Sequence, residues 1–317
     1  MLQQTQVKTV IPYFEGFMER FPTIESLSSA KIDQVLHLWT GLGYYARARN
    51  LHKTSIIVTT KFDSQFPNTV DELVSLPGIG RSTAGAILAL SMKKRASILD
   101  GNVKRVLARF FLVRGWPERT KVRNRLWEIA DRNTPITNFS QYTQAIMDLG
   151  ATVCKRSNPE CLRCPLNTEC KAYTTNQVEN YPGKKPKRLI PTRKVCMYIL
   201  ENELGEILLE QRPSEGIWGA LYSFPERLPT IMVNEYSKSS KKACSKTALP
   251  SGDYLKTIKH TFSHFRLEIQ PKLVKVSKHE FKINDSVNRV WYSLENPAAL
   301  GLAAPVKKQL AELFAKK

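Results

Sequence analysis

The chain has 317 residues, with 48 Lys and Arg against 28 Asp and Glu, a formal net charge of +20. Its 42% hydrophobic and 24% charged residues describe a folded globular protein of two domains or one large one. No apolar run approaches the roughly 18 residues that span a bilayer, and MLQQTQVKTVIPYF does not read as a secretory leader, which argues against a membrane-spanning helical protein and a small disulfide scaffold. A positive excess of this size is self-repelling, and a polyanionic partner, nucleic acid first, is its usual reason.

Over residues 1–150 the pattern predicts helices joined by short loops. In the run Leu76-Pro77-Gly78-Ile79-Gly80-Arg81-Ser82-Thr83-Ala84, two glycines enclose one apolar residue, and an apolar helix follows at 86–90. Such a hairpin, with Pro77, Gly78, Gly80 and Arg81 at its tip, can hold a DNA phosphate on backbone amides without reading bases. A plain packing elbow is the bland alternative, and the net charge favours the phosphate. Next, Asp100-Gly101-Asn102 reads as a helix entrance. Val103, Val106, Leu107 and Phe110 recur at helical spacing after it, and Gly115 is expected to supply the stop. By itself Asp100 reads as a helix N-cap. Leu126, Ile129 and Ala130 mark another helix, and residues 141–149 a third that leads into a cysteine cluster.

Cys154, Cys161, Cys164 and Cys170 lie within 17 residues, with six, two and five residues between them. Thiolates this close along a chain converge on one small volume, which favours a soft metal centre. The spacing matches neither a paired zinc ribbon nor a ferredoxin run, so it leaves zinc, an iron–sulfur cluster and a disulfide or buried-thiol arrangement open. Residues 174–193 then carry three prolines, a glycine and a basic run, and read as an interdomain linker. Beyond it the period becomes two: 195–200 and 206–211 flank a turn as a hairpin. Phe265, Leu267 and Ile269 alternate with polar residues, 290–292 forms a further strand, and 305–315 a closing helix. The second domain is expected to be smaller and α+β, with a mobile Lys- and Ser-rich loop at 236–251.

The hairpin, the Leu99-Asp100-Gly101-Asn102 segment and the four-cysteine loop, in that order, resemble the helix–hairpin–helix DNA glycosylases of the endonuclease III superfamily. Within it the chain resembles the MutY-type adenine DNA glycosylases over essentially its whole length. The matching strings are the Met1-to-Val7 segment, Gly41-Leu42-Gly43-Tyr44-Tyr45-Ala46-Arg47-Ala48-Arg49, Trp218-Gly219-Ala220-Leu221-Tyr222-Ser223-Phe224-Pro225 and Thr261-Phe262-Ser263-His264. The resemblance implies an all-α glycosylase domain with an iron–sulfur cluster loop (1–173), a linker (174–193) and a Nudix, or MutT-like, α+β domain (194–317). It implies a [4Fe-4S] cluster on the four cysteines. It also implies removal of adenine mispaired with 8-oxoguanine or guanine in double-stranded DNA, by a monomer of the bacterial-type cytoplasm with no membrane partner.

The same resemblance assigns roles. Asp100 stands beside the anomeric carbon to stabilise the cationic sugar, and Asn102 orients groups nearby. Ser82 stands where related lyases carry a Schiff-base lysine, which favours a monofunctional glycosylase. Adenine must leave the stack to be reached; Gln4 and Tyr44 would wedge into the duplex, with Leu42 assisting and Thr5 in the same DNA-binding set, though Leu42, Tyr44 and Tyr45 alone read as core. Arg47, Arg49, Arg81, Lys104, Lys155 and Arg156 are expected phosphate contacts. In the second domain a working Nudix hydrolase needs a helix of metal-binding glutamates. Glu226 and Glu235 are too scattered to supply one, so Phe262, Ser263 and His264 are expected to recognise the oxidised guanine instead. The family's general acid, a glutamate two residues before the Met-Leu-Gln-Gln-Thr-Gln segment, would lie upstream of Met1 together with a preceding helix.

Overall fold

The structure, a computed structural model, describes residues 1–2, 5–186, 189–226, 252–262, 264–276 and 288–315. Gln4, Ser263, Glu235 and the loop expected at 236–251 lie outside the described residues. The chain packs as two compact units, Met1–Ile56 with Leu189–Lys317, and Ile57–Arg188. This grouping differs from the division by chain order into 1–173, 174–193 and 194–317, and the reason is the core of the first unit.

That unit opens with α1 (Val7–Arg20), α2 (Ile24–Ser28), α3 (Ile32–Leu38) and the first turns of α4 (Ala46–Lys61). Thr23 caps α2 by accepting from the Ser26 amide at 3.2 Å, and the Ser26 hydroxyl returns the bond to the Thr23 amide. Short helices such as α2 and α3 cannot bury enough surface on one another to persist alone. Their inward residues Phe17, Leu27, Val35, Leu36 and Trp39 share one core with Met197, Ile199, Leu209, Leu221, Phe265 and Leu310 of the C-terminal half. Gly301 permits the closest approach, since a Cβ there would stand 2.7 Å from that of Leu36. Gln211 donates to Asp33 at 3.0 Å and the Tyr45 hydroxyl to the Leu302 carbonyl at 3.3 Å, so polar groups at the seam are paired.

Among the described residues the sheet of this unit has seven strands: β1 (Thr192–Glu201), β2 (Ile207–Gln211), β3 (Tyr222–Ser223), β4 (Asp253–Tyr254), β5 (Ile258–Thr261), β6 (Arg266–Lys275) and β7 (Arg289–Tyr292). Its path runs β3-β2-β1-β6-β4, with β5 beside β6 and β7 beside β2. The β1–β2 hairpin is antiparallel, as the period-two pattern predicts, whereas β1 and β6 are parallel with Thr192 opposite Arg266. Met197 and Ile199 face the helical core, and Cys196, Tyr198 and Leu200 a second cluster with Leu208 and Val274. Burial on both faces explains why 196–200 is continuously apolar. The closing helix α11 (Ala304–Phe314) starts with Pro305 in its first turn, where a missing N–H costs nothing.

The second unit holds the rest of α4, then α5 (Val70–Ser75), α6 (Arg81–Ala86), α7 (Gly101–Phe110), α8 (Thr120–Asn133), α9 (Phe139–Asp148) and α10 (Lys171–Thr174). Ile98, Val103, Val106, Leu107, Leu126, Ile129 and Ile146 form its core. The stop of α7 comes earlier than Gly115. Leu112 takes a left-handed φ of 53°, and the Val113 amide reaches back to the Ala108 carbonyl at 2.9 Å, a Schellman ending built without glycine. Among the described residues no helix is long and apolar enough to cross a membrane.

If the N-terminal helices and the sheet share a core, Leu36→Ala should destabilise the sheet as well as α3. We expect a loss of about 2–5 kcal/mol, read as one earlier transition by both tryptophan fluorescence and far-UV circular dichroism.

Candidate active site and metal centre

The hairpin between α5 and α6 begins at Leu76 and turns at Gly78, whose φ of 79° needs glycine. Gly78 and Gly80 are exposed, so their amides are accessible to an anion. Ser82, in the first turn of α6, does not face solvent alone: its hydroxyl accepts from the Leu99 amide at 2.9 Å. That bond ties the hairpin to the residue before Asp100. Asp100 is the N-cap of α7 and its Oδ1 accepts from the Val103 amide at 2.8 Å. The carboxylate is therefore half-buried and held in one orientation by a hydrogen bond from within its own helix. Ser82, Asp100 and Asn102 are thus assembled at one helix start.

From there α7 reaches the cysteines through two arginines that the sequence reading did not single out. Arg105 donates to Asn102 Oδ1 at 2.8 Å, to the Gly150 carbonyl at 2.6 Å and to the Cys154 carbonyl at 2.7 Å. Its pKa is lowered chiefly by burial, so the contacts to Asn102, Gly150 and Cys154 replace water around a partly buried cation. Gly150 is required, because a Cβ there would stand 2.6 Å from that of Asn102. Arg109, only 3% exposed, donates to the Tyr181 carbonyl at 2.9 Å, the Lys155 carbonyl at 2.8 Å and Cys154 Sγ at 3.3 Å. The legible signal was an arginine pair at i and i+4 beside the buried stripe Val106-Leu107.

One wide turn at Leu149–Val153, closed by the Cys154 amide on the Leu149 carbonyl at 2.7 Å, delivers Cys154 to the site. Cys154, Cys161, Cys164 and Cys170 line one cavity together with Arg109, Val153, Tyr173 and Val178. Burial, followed by the neighbouring thiols, pushes Cys161 and Cys164 up from the usual thiol range, and Arg109 opposes this at Cys161. Crowded thiols in such a place ionise together only against a cationic centre. Among the described residues no three His, Cys, Asp or Glu side chains converge closely enough to hold a single ion. Four thiols lining one cavity are a donor set for a soft metal centre, with an Arg109 N–H directed at Cys154 Sγ.

The expected phosphate contacts are mostly engaged by protein. Arg81 stacks on Trp127 at 3.9 Å and pairs with Asp131 at 3.0 Å. Lys104 pairs with Glu118 at 2.6 Å, and Lys155 with Glu160, which also holds Arg163. Arg156 is exposed. In the first unit Arg47 donates to the Met1 carbonyl at 2.9 Å and to Thr5 Oγ1 at 3.4 Å, and Arg49 to the Gly219 carbonyl at 2.8 Å. Burial lowers the pKa of both arginines, and both residues are half-buried. Leu42 is 6% exposed and sits in the core cluster of the first unit. Tyr44 is different: it is 61% exposed at a left-handed φ of 49°, between Gly43 and buried Tyr45.

At the end of β5 the Phe262 amide bonds the Phe265 carbonyl at 2.9 Å, closing a tight turn. The Phe262 ring lies 4.7 Å from Phe265, 4.7 Å from His260 and 5.3 Å from Trp218, while His264 is exposed. His260 and Trp218 are members of this cluster that the sequence reading did not assign.

The family model described as HhH-GPD superfamily base excision DNA repair protein matches residues 1–132, and a NUDIX domain model matches residues 195–312. The adenine DNA glycosylase of Buchnera aphidicola subsp. Schizaphis graminum is 41% identical over 314 residues, spanning 99% of this chain and 89% of its own length. The chain belongs to the adenine DNA glycosylase family. The human adenine DNA glycosylase is 33% identical over 321 residues, covering 85% of this chain and 58% of the human protein. Among solved structures, a thermostable thymine-DNA glycosylase aligns over 55% of this chain and 80% of its own with a TM-score of 0.48 and 23% identity. A helical helix–hairpin–helix glycosylase domain is followed by a Nudix-like α+β domain with a mixed sheet.

Arg109→Met would strip charge-assisted bonds from four acceptors around the cysteine cavity. The expected loss is about 3 kcal/mol, measured as a lower urea midpoint with an unchanged slope.

Proposed function

We propose that the chain is a monofunctional glycosylase that hydrolyses the N-glycosidic bond of adenine opposite 8-oxoguanine or guanine in double-stranded DNA. The observation that carries this reading is the fixed carboxylate of Asp100, capped onto the Val103 amide and adjoining Leu99, which Ser82 anchors. Cleaving a purine glycosidic bond leaves a cationic sugar. A carboxylate already oriented stabilises that charge without reorganising at the moment of reaction. Asn102, held by Arg105, keeps the start of α7 in register with the carboxylate. Ser82 has no amine with which to form a Schiff base, so the abasic sugar is released to water and the strand is left intact.

DNA engagement in this reading starts at the hairpin amides of Gly78 and Gly80 and at Arg156. Arg81, Lys104 and Lys155 join it where phosphate oxygens compete with their carboxylate partners. Tyr44 enters the space vacated by the flipped adenine, its exposed ring and left-handed backbone aiming it away from the core. On the opposite strand, the Phe262 turn and His264 meet the oxidised purine, with Ser263 assigned there from the sequence. The cysteine cavity would hold a [4Fe-4S] cluster. Four soft thiolates lining one cavity are the donor set such a cluster takes, and the family resemblance is what favours it over zinc. The cluster would brace the loop that carries Lys155 and Arg156. The protein acts as a monomer, at the nucleoid of a bacterial-type cytoplasm.

Two measurements test this. Asp100→Asn keeps a good N-cap, so stability should stay within about 0.5 kcal/mol while single-turnover excision of adenine falls by at least roughly 100-fold. Equal loss of folding and excision would reduce Asp100 to a cap, and tight binding by the parent chain with adenine left in place would leave a lesion-binding protein. Metal analysis of the purified chain should find about four irons and four labile sulfides per chain with a broad absorption near 400 nm. One zinc in a colourless protein would overturn the cluster.

A further inference from the structure

The loop at 213–221 is strained in a way its own sequence does not demand. Gly216, Trp218 and Ala220 have φ of 89°, 53° and 59°, three left-handed residues in five, two of them not glycine. Left-handed backbone at a tryptophan persists only where its surroundings over-determine it. The surroundings here are explicit. Arg212 Nε donates to the Ile217 carbonyl at 3.1 Å, the Ala220 amide bonds the Pro213 carbonyl at 3.0 Å, and a Cβ on Gly219 would run into the Ser214 carbonyl. From α4, Arg49 Nη1 donates to the Gly219 carbonyl at 2.8 Å. The Trp218 ring, 8% exposed, is thereby pressed against His260 and Phe262, each 5.3 Å away. His260 stands 4.7 Å from Phe262 and 5.3 Å from Trp218, filling the corner between them. Arg49 lies one helical turn along from the start of α4, directly after exposed Tyr44 and buried Tyr45.

We propose that Arg49 and Trp218 are positioning residues that lock the Phe262 turn to the helix following Tyr44, and so set how strongly the protein discriminates 8-oxoguanine from guanine opposite adenine. This rests on the reading above in which the Phe262 turn meets that base. The guanidinium is the strut. Its bond to the Gly219 carbonyl holds the strained loop, the loop holds the indole, and the indole with His260 holds Phe262. The face that Phe262 presents is then set by α4 as well as by its own turn, and a base that displaces Phe262 must work against α4. Arg49 in this arrangement makes no contribution to phosphate binding. A strut through packed rings carries coupling only if the two ends respond non-additively, which a double-mutant cycle measures directly.

The experiment uses the full chain and equilibrium fluorescence anisotropy on two duplexes, one with adenine opposite 8-oxoguanine and one with adenine opposite guanine, over a range of salt. Phe262→Ala should lower the affinity ratio on the order of tenfold, the scale of one lost base-stacking contact. Arg49→Gln should lower it by about the same factor, with the salt slope unchanged, and the double variant should fall no further than either single. Arg49→Lys, which keeps a cation and one N–H donor to Gly219, should retain most of the ratio, and Trp218→Phe should lose part of it. The inference is overturned if Arg49→Gln leaves the ratio intact, if the two losses multiply, or if Arg49→Gln reduces the salt slope by about 0.9, the mark of one lost phosphate contact. Should Phe262→Ala itself leave the ratio unchanged, the lesion-contact reading fails first and this inference with it. That outcome is distinct from an intact Phe262 effect with a silent Arg49.

Discussion

One buried and one half-buried guanidinium group, those of Arg109 and Arg105, hold the second unit together. Arg105 and Arg109 project from α7 into the ground between Asp100 and the cysteines, and between them bond the main-chain carbonyls of Gly101, Gly150, Cys154, Lys155, Arg156 and Tyr181, the Asn102 side chain and Cys154 Sγ. A desolvated cation is costly unless its donors are met. The loop that satisfies them is therefore as constrained as they are: Gly150 must lack a side chain, and 154–156 must offer carbonyls inward. With the carbonyls turned in, the side chains of Lys155 and Arg156 turn outward. The same bonds that organise the cysteine cavity thus set the basic loop and the register of Asp100.

Charge in the second unit is arranged with more restraint than the net +20 implies. Four cations near the hairpin and the cysteine loop are met by carboxylates: Arg81 by Asp131, Lys104 by Glu118, Lys155 and Arg163 by Glu160. Exposed pairs of this kind add little to stability. They do orient long, flexible side chains and temper an affinity for polyanions that would otherwise be indiscriminate. The Trp127 ring beneath Arg81 adds to this orientation from the opposite face.

The first unit shows a different dependence. Its helices α1–α3 precede the hairpin in the chain, yet their apolar stripe is buried with the sheet. One face of the Nudix-like sheet is consequently covered by these helices, and its loop at 213–221 lies against α4 through Arg49. A domain without the glutamate set of a hydrolase here serves as a packing partner and as the platform for an aromatic turn.

Much of this was legible beforehand because it is local. The 3.6-residue stripe of Val103, Val106 and Leu107, the glycine spacing of the hairpin, the period-two runs and the cysteine cluster each follow from short-range sterics and hydrogen bonding, and each is found in its expected element. What tertiary structure decided was the partner of each long polar side chain. Arg47, Arg49 and Arg81 look alike in sequence as phosphate contacts. Which of them points outward depends on where carbonyls and carboxylates tens to hundreds of residues away come to rest. The same holds for Leu42, Arg105 and Arg109. Periodicity tells which face of a helix is buried, but only the packed fold tells what it is buried against, and hence whether a cation or a leucine there serves the core or the ligand.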